Sequence, residues 1–554
     1  MRQVTSSAQV TRTDSQPTNE SARGAVYTKP WVVGLVLDTA QYTADRDLGS
    51  MVAVEPACGD GEFLVEMVKR LAESARNNDR GFQSLDRALM AFEIDAYAAQ
   101  VSRQRITAAL RDFDCPLATA ESLAEGWVKV GDFLLSGTLP QADFVVGNPP
   151  YVRIEDLDPS TLAAYRARFE TMKGRSDLYI GFFERALEIL NPDGVLVYIC
   201  ADRWMLNQYG GSLRRLVTSK FAVDAVIEMH EADAFHDEVL AYPAITRFRR
   251  GEQSSTVVAR LERGLAPAEA RCLRDFMAGT TKSKPTGFEA MRTEEWFSGS
   301  DPWPCTSPER LALLKRLEQE FPTIESSATN TRVGIGIATG SDKVFITTNP
   351  DLVEQSRLLP LAWHKDTLDG EFNWSGRYLV NPWEEDGSLV ELSDYPLLQS
   401  YFQGQEDVLR ARKIASTRPQ QWYRTIDNLR PEVRNQAKLL IPDIKGHLHP
   451  VLERGATYPH HNLYYVVSDG WELRSLGGLL LSDVAQFFID CYSVKMAGGY
   501  LRFQAQYLRR IRLPRPEDLD RATLDGLAEA FDSRDTELAS ALAHSIYRTD
   551  AIPG

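Results

Sequence analysis

The sequence predicts an α/β protein whose first half is a doubly wound, mostly parallel sheet, followed by a mixed α+β region. Three observations carry this. Short apolar runs recur at strand length: MVAVE (51–55), ALMAFEI (88–94), DFVVGN (143–148), GVLVYIC (194–200) and AVDAVIEM (222–229). Amphipathic stretches alternate with them, such as FLVEMVKRLAESA (63–75) and LYIGFFERALEIL (178–190), the latter closed by Asn191-Pro192-Asp193-Gly194. Beyond residue 331 that alternation stops, and glycines and aromatics scatter without helical period. Apolar strands between amphipathic helices imply a sheet covered on both faces, with ligands outside the carboxyl ends of its strands.

A chain of 554 residues exceeds one core and suggests several domains. The expected division is a disordered tail over 1–23, a sheet domain over 24–250 and a connecting region over 251–330. A second domain over 331–515 follows, opening on the hairpin-like TRVGIGIATGSDKVFI (331–346), and helices occupy 516–554. The tail is rich in Ser, Thr, Gln and Arg and lacks the apolar core of a signal peptide. No apolar run reaches bilayer-spanning length; the longest, such as WVVGLVL (31–37), suit buried elements. Six cysteines without a CxxC pair fit reduced thiols and argue against a disulfide framework or zinc cluster. A cytoplasmic monomer without a membrane partner is expected. The net charge of −15 excludes a generally basic surface but allows a local basic cleft.

EPACGDGEFL (55–64) follows the first strand, and a helix follows it. Gly59 and Gly61 permit a tight turn and close backbone approach to a ligand. The third glycine of a dinucleotide fingerprint and the lysine of a phosphate loop are both missing. Glu55 and Asp60 would repel a pyrophosphate. They suit a cation bearing hydroxyls and an amino group, as S-adenosylmethionine is. The next strand ends in Phe92-Glu93-Ile94-Asp95, with an acid placed for ribose hydroxyls. Gly131-Asp132-Phe133 then offers a carboxylate for an adenine amine, with a ring beside it.

DFVVGNPPYVR (143–153) ends a strand on Asn148-Pro149-Pro150-Tyr151. Proline cannot donate to a ladder, and the residue before a proline is held extended, so the strand stops at a stiff lip. The adenine exocyclic amine is a weak nucleophile because its lone pair is delocalised into the ring. Two acceptors on its N–H groups, the Asn148 side-chain oxygen and the Pro149 carbonyl, would localise that pair and aim it at an electrophilic methyl. Tyr151 offers a π-face to a base taken out of its stack.

EPACGDGEFL, FEID, GDF and NPPY, in that order, resemble S-adenosylmethionine-dependent adenine-N6 DNA methyltransferases of type II restriction–modification systems. GAVYTKPWVVG (24–34) resembles that family's N-terminal cofactor motif, and the order matches its gamma class. The resemblance implies a Rossmann-like methyltransferase sheet and a C-terminal DNA target recognition domain. It assigns Thr28 and Glu55 to the cofactor's methionine moiety, with Ala57 and Gly59 in the same loop. Glu93 falls to the ribose, Ile94 beside the adenine, Asp132 to the adenine amine and Phe133 to its ring. It makes Asn148, Pro149, Pro150 and Tyr151 catalytic, places Asn148 near the cofactor too, and adds Phe235 as a second clamp on the flipped base. Double-stranded DNA is the implied partner, with a separately encoded cognate endonuclease.

Two basic stretches in this acidic chain suit DNA: residues 408–438, with eight Lys/Arg against two acids, and LRFQAQYLRRIRLPR (501–515). Arg410, Arg412, Lys413, Arg424, Arg502, Arg509 and Arg510 are the candidate contacts. The histidines of GHLHP (446–450) and PHHN (459–462) have no carboxylate or cysteine at metal spacing, and no metal is expected. Two alternatives remain: an RNA or protein-glutamine methyltransferase, and a non-catalytic DNA specificity protein. The intact Glu55, Glu93, Asp132 and Asn148 speak against the second.

Overall fold

The computed structural model describes residues 27–236, 242–281, 288–493 and 500–554. The tail over 1–23 lies outside the described residues. The chain divides into two compact units, one up to Pro308 and one from Glu309 onward.

The first unit is built on one nine-stranded sheet. Its strands are β1 (Ala53–Glu55), β2 (Leu89–Glu93), β3 (Val128–Val130), β4 (Ala142–Gly147), β5 (Leu190–Ala201), β6 (Phe221–Glu228), β7 (Pro243–Arg250), β8 (Thr256–Arg260) and β9 (Glu289–Thr293). They lie in the order β3-β2-β1-β4-β5-β7-β6-β8-β9. The segment from β3 to β5 is parallel throughout. β7 runs antiparallel between β5 and β6 and has no counterpart in the sequence reading. Its first residue is Pro243, which a strand tolerates only at such a position. β8 and β9 come from the expected connecting region and extend the sheet.

Alternate residues of the central strands enter opposite cores. Phe144, Val146, Val195 and Val197 pack with helices α1 (Pro30–Thr39) and α2 (Glu62–Asn77), together with α3 (Ala96–Arg111) and α4 (Leu117–Trp127). Val145, Leu196 and Tyr198 face the other way, onto α5 (Pro159–Arg168) and α6 (Tyr179–Glu188). This period of two with both faces buried is why these runs read as continuously apolar. Asn191 to Gly194, expected to close a helix, instead opens β5: α6 ends at Glu188, and Leu190 already pairs with Ala142.

The second unit holds two four-stranded sheets and a two-stranded ribbon. Thr331–Ile335, Leu463–Ser468, Lys438–Pro442 and Val451–Glu453 form one antiparallel sheet in that order. Thr331–Ile335 therefore pairs with a strand more than a hundred residues away, not with its neighbour in a hairpin. Helices Arg521–Ser533 and Thr536–Tyr547 pack against Leu473–Leu481 in the same unit. Among the described residues, no helix is long and apolar enough to cross a membrane.

Candidate active site at the carboxyl ends of β1 and β4

The chain runs outward from β1 to β2 and β3, then returns to place β4 on the other side of β1. The crevice where strand order reverses lies between β1 and β4. EPACG leaves one of these strands and NPPY the other. A Cβ on Gly147 would lie 3.6 Å from Glu55 Cγ, so the two motifs abut.

The first turn is set by backbone. Gly59 and Gly61 have φ of +53° and +94°, which favour glycine, and a Cβ on Gly61 would strike Ser102 Oγ at 2.6 Å. Glu93 fastens this turn to β2: its carboxylate accepts from Gly59 N at 2.9 Å and from Asp95 N at 2.8 Å. Asp95 caps α3 instead, accepting from Tyr97 N and Ala98 N at 2.8 and 3.0 Å. Glu55 is 1% exposed, and its Oε2 has no hydrogen-bond partner among the described residues. Burial, and then the charges of Glu93, Glu62 and Asp60, hold its carboxyl well above the usual range.

The lip is tied to the N-terminal segment. Thr28 and Phe235 form an antiparallel bridge, with Lys29 N donating to Ala234 O and His236 N to Tyr27 O, both at 3.0 Å. Asn148 Nδ2 donates to Thr28 Oγ1 at 3.1 Å, which orients the amide. Thr28 N donates in turn to Glu62 Oε2 at 2.7 Å. Lys29 pairs with Asp233. The rings of Tyr151 and Phe235 stand 6.4 Å apart at 86°, edge to face.

Asp132 accepts from Leu134 N and from the Tyr165 hydroxyl, both at 2.8 Å. The Phe133 ring is buried, stacked on Phe182 at 5.6 Å and edge-on to Phe92 at 5.5 Å. Ile94, by contrast, is 66% exposed at the end of β2. Ala57 is partly buried in the turn between Glu55 and Gly59. Glu62 escaped the sequence reading because it looks like any acid in a helix's first turn. Asp177 also escaped: Tyr209 donates to it at 3.1 Å, and its backbone bridges Arg153, just after the lip, where Leu178 N donates to Val152 O at 2.8 Å. Only three-dimensional proximity marks either residue.

A family model, the Eco57I restriction-modification methylase, matches residues 88–235. The type II methyltransferase M.PaeR7I of Pseudomonas aeruginosa is 42% identical over 530 residues, covering 95% of this chain and 92% of that one. M.XhoI of Xanthomonas vasicola is 41% identical over 535 residues, at 95% and 97% coverage. This chain belongs to the type II methyltransferases. Among solved structures, the type IIL restriction-modification enzyme MmeI in complex with DNA aligns over 95% of the chain and 74% of that protein. Its TM-score is 0.53 at 12% identity, a likeness of fold.

Methyltransferases of this family use S-adenosylmethionine, and the residues of this one fit it. A buried carboxylate with one oxygen unpartnered, among three further acids, is an environment that calls for a cation. Glu55 would meet the charged methionine end, Glu93 the ribose and Ile94 the adenine.

In the second unit of the methyltransferase several expected DNA contacts turn inward. Arg412 donates to the carbonyls of Leu409, Thr339, Trp422 and Arg424 at 2.7–3.0 Å and lies over Phe345. Arg424 is buried over Trp383 and donates to Thr425 O and Asn428 Oδ1. Arg502 grips Asp443 through two nitrogens, at 2.9 and 2.6 Å. A guanidinium removed from water needs such acceptors, so a basic count alone overstates the cations available to a ligand. Arg410 and Arg509 pair with Glu406 and Glu325 near the surface, Arg510 lies over Tyr492, and Lys413 is exposed. Folding also brings Asp342 Oδ1 to 3.3 Å from His460 Nε2, a carboxylate that local spacing around the histidines could not reveal.

Proposed function

We propose that this methyltransferase acts on duplex DNA, methylating N6 of a flipped-out adenine and so protecting host sites from a separately encoded endonuclease. The observation that carries the reading is the junction at Gly147: an amide-and-carbonyl lip on one side, the carboxylate cradle of Glu55 on the other. Bound S-adenosylmethionine supplies an electrophilic methyl on a sulfonium. Asn148 and the Pro149 carbonyl accept hydrogen bonds from the adenine amine and direct its lone pair along the line of transfer. Thr28 holds the Asn148 amide in the orientation that presents its oxygen. Tyr151 and Phe235 hold the extruded base, one of the two rings turning so that the base lies against its face. Positioning and electrostatics by these residues would supply most of the acceleration, because transfer would leave a neutral thioether and the methylated amine would give up its extra proton to solvent. Lys413, Arg509 and Arg510 serve the phosphate backbone.

Tritiated methyl transfer tests this. Label recovered as N6-methyladenine in duplex DNA supports the proposal. Label on cytosine, RNA or protein overturns it, as does duplex binding without any transfer.

A further inference from the structure

The sheet that contains Thr331–Ile335 has one end unlike the other. Where Thr331–Ile335 and Lys438–Pro442 finish and Leu463–Ser468 begins, the segments 336–341 and 459–462 meet, and Asp443 N, just before the ribbon strand Ile444–Lys445, donates to Asn462 O at 3.2 Å. They are fastened by backbone: Gly336 N donates to Leu463 O at 3.0 Å, Ile337 N to Pro459 O at 2.9 Å, and His461 N to Ile337 O at 3.1 Å. A further loop, 424–428, is clamped to the first. Ala338 N donates to Asp427 Oδ2 at 2.9 Å, and Asp427 N returns a bond to Ala338 O at 3.2 Å. Arg412 spans both loops, donating to Thr339 O at 3.0 Å and Arg424 O at 2.8 Å. A Cβ on Gly340 would lie 2.8 Å from the Ile426 side chain, so the loops touch.

These loops, and the strand residues Ile335 and Ile444 beside them, expose side chains that a core would normally take. Ile335, Ile426 and Ile444 are 45%, 48% and 49% exposed, and His461, whose N–H bonds Ile337 O, is exposed too. Lys343 follows the first of these segments, Lys445 follows Ile444 directly, and Lys413 is the chain neighbour of Arg412, which bonds both clamped loops. Apolar tips on a rigid backbone, flanked by cations, match a DNA groove, where thymine methyls and base edges lie between rows of phosphates. A binding surface needs its contact residues held by a supporting layer, and Arg412 is that support here.

We propose that this end of the sheet reads base pairs: Ile335 and Ile426 contact the apolar edges of bases, His461 a polar edge, and Arg412 is the positioning residue behind them. The assignment rests on the duplex-DNA reading above. Ile444 extends the same surface.

The test uses the full chain and a pool of duplexes of randomised sequence. After incubation with S-adenosylmethionine, methylated sites are mapped by single-molecule sequencing, and cofactor affinity is measured by calorimetry. Ile335→Ser and Ile426→Ser should each relax the consensus at one or two positions, by roughly tenfold in acceptance of the wrong base pair. Cofactor affinity should stay within about twofold of wild type. Both side chains are half in water already, so neither change opens a core cavity. Arg412→Lys should relax the same position as Ile426→Ser, an outcome that a general loss of stability does not produce. Leu397→Ser, at an exposed leucine elsewhere in the unit, should leave the consensus unchanged. An unaltered consensus and rate in both isoleucine variants overturns the assignment alone. Wild-type protein that labels no duplex at all overturns it together with the duplex reading.

Discussion

The side-chain amide of Asn148 donates to the hydroxyl of Thr28 at 3.1 Å, across 120 residues of chain. The bond fixes which end of the amide faces Thr28 and therefore where its oxygen points. Thr28→Val keeps the shape and removes the acceptor. We expect the maximal methylation rate to fall about a hundredfold, as small misplacements of reacting groups do. Quench-flow at saturating cofactor measures this. If instead only cofactor affinity falls and the saturated rate is unchanged, Thr28 serves the methionine moiety and not the amide.

Asn148→Ala removes the acceptor proposed to act in transfer itself. A rate loss of about a thousandfold or more is expected, by analogy with loss of a positioned hydrogen-bonding group in other active sites. Cofactor binding, followed by calorimetry, should survive within about threefold, because Glu55 and Glu93 remain. Wild-type turnover in this variant would remove Asn148 from the chemistry.

If Glu55 meets the cofactor's charged end as proposed, it links cofactor binding to protons. Burial and neighbouring acids raise its folded pKa, so the empty site keeps its proton to higher pH than an exposed glutamate would. A cationic ligand favours the carboxylate, so binding releases that proton. Affinity should therefore rise with pH, by up to about tenfold per unit, and flatten above the raised value. The same shift opposes folding: the unfolded chain ionises first, so stability is lost as pH rises above the ordinary glutamate range. Glu55→Gln should raise the melting temperature of the ligand-free protein at neutral pH while weakening cofactor binding and flattening its pH dependence. A variant that binds with the wild-type pH slope would show that another group carries the coupling.

The strand runs of the first unit were legible because parallel strands buried on both faces carry their signal in composition alone. The strand-end acids Glu55 and Glu93, and the lip at 148–151, were legible for a related reason: each sits where a strand's apolar run stops. Two kinds of information were not. β7 pairs antiparallel between β5 and β6, and its apolar run is interrupted by Arg247 and Arg249, which ion-pair with Asp224. The fate of the arginines was equally hidden. Arg412 and Lys413 are neighbours in sequence, yet one is bonded to four carbonyls and the other is exposed. Charge counting registers both alike, because it cannot see which guanidinium has backbone acceptors waiting for it.

Tyr151 and Phe235 are perpendicular at 6.4 Å. Sandwiching a base needs two parallel faces roughly 7 Å apart, twice an ordinary carbon contact. On the proposed clamping of an extruded base, one ring must therefore turn when the base enters. With 2-aminopurine at the target position, wild-type protein should give a large fluorescence rise on base extrusion. Tyr151→Ala and Phe235→Ala should each weaken capture by about tenfold, in line with the loss of one stacking surface. Equal fluorescence in wild type and both variants would place the base elsewhere.

Arg412 and Lys413 separate support from contact. Arg412→Met leaves the carbonyls of Leu409, Thr339, Trp422 and Arg424 without their shared donor. The expected cost is about 3 kcal/mol of stability in the second unit, the scale of losing a charged, multiply bonded donor. Chemical denaturation should show it as a lower midpoint at every salt concentration. Lys413→Ala should leave that midpoint within about 0.5 kcal/mol of wild type, because its side chain is exposed. It should instead lower the slope of log affinity against log salt for duplex DNA by about one unit, the signature of one phosphate contact. A salt slope that falls for Arg412→Met and not for Lys413→Ala would reverse the two roles: the guanidinium would then leave its carbonyls to meet a phosphate when duplex binds.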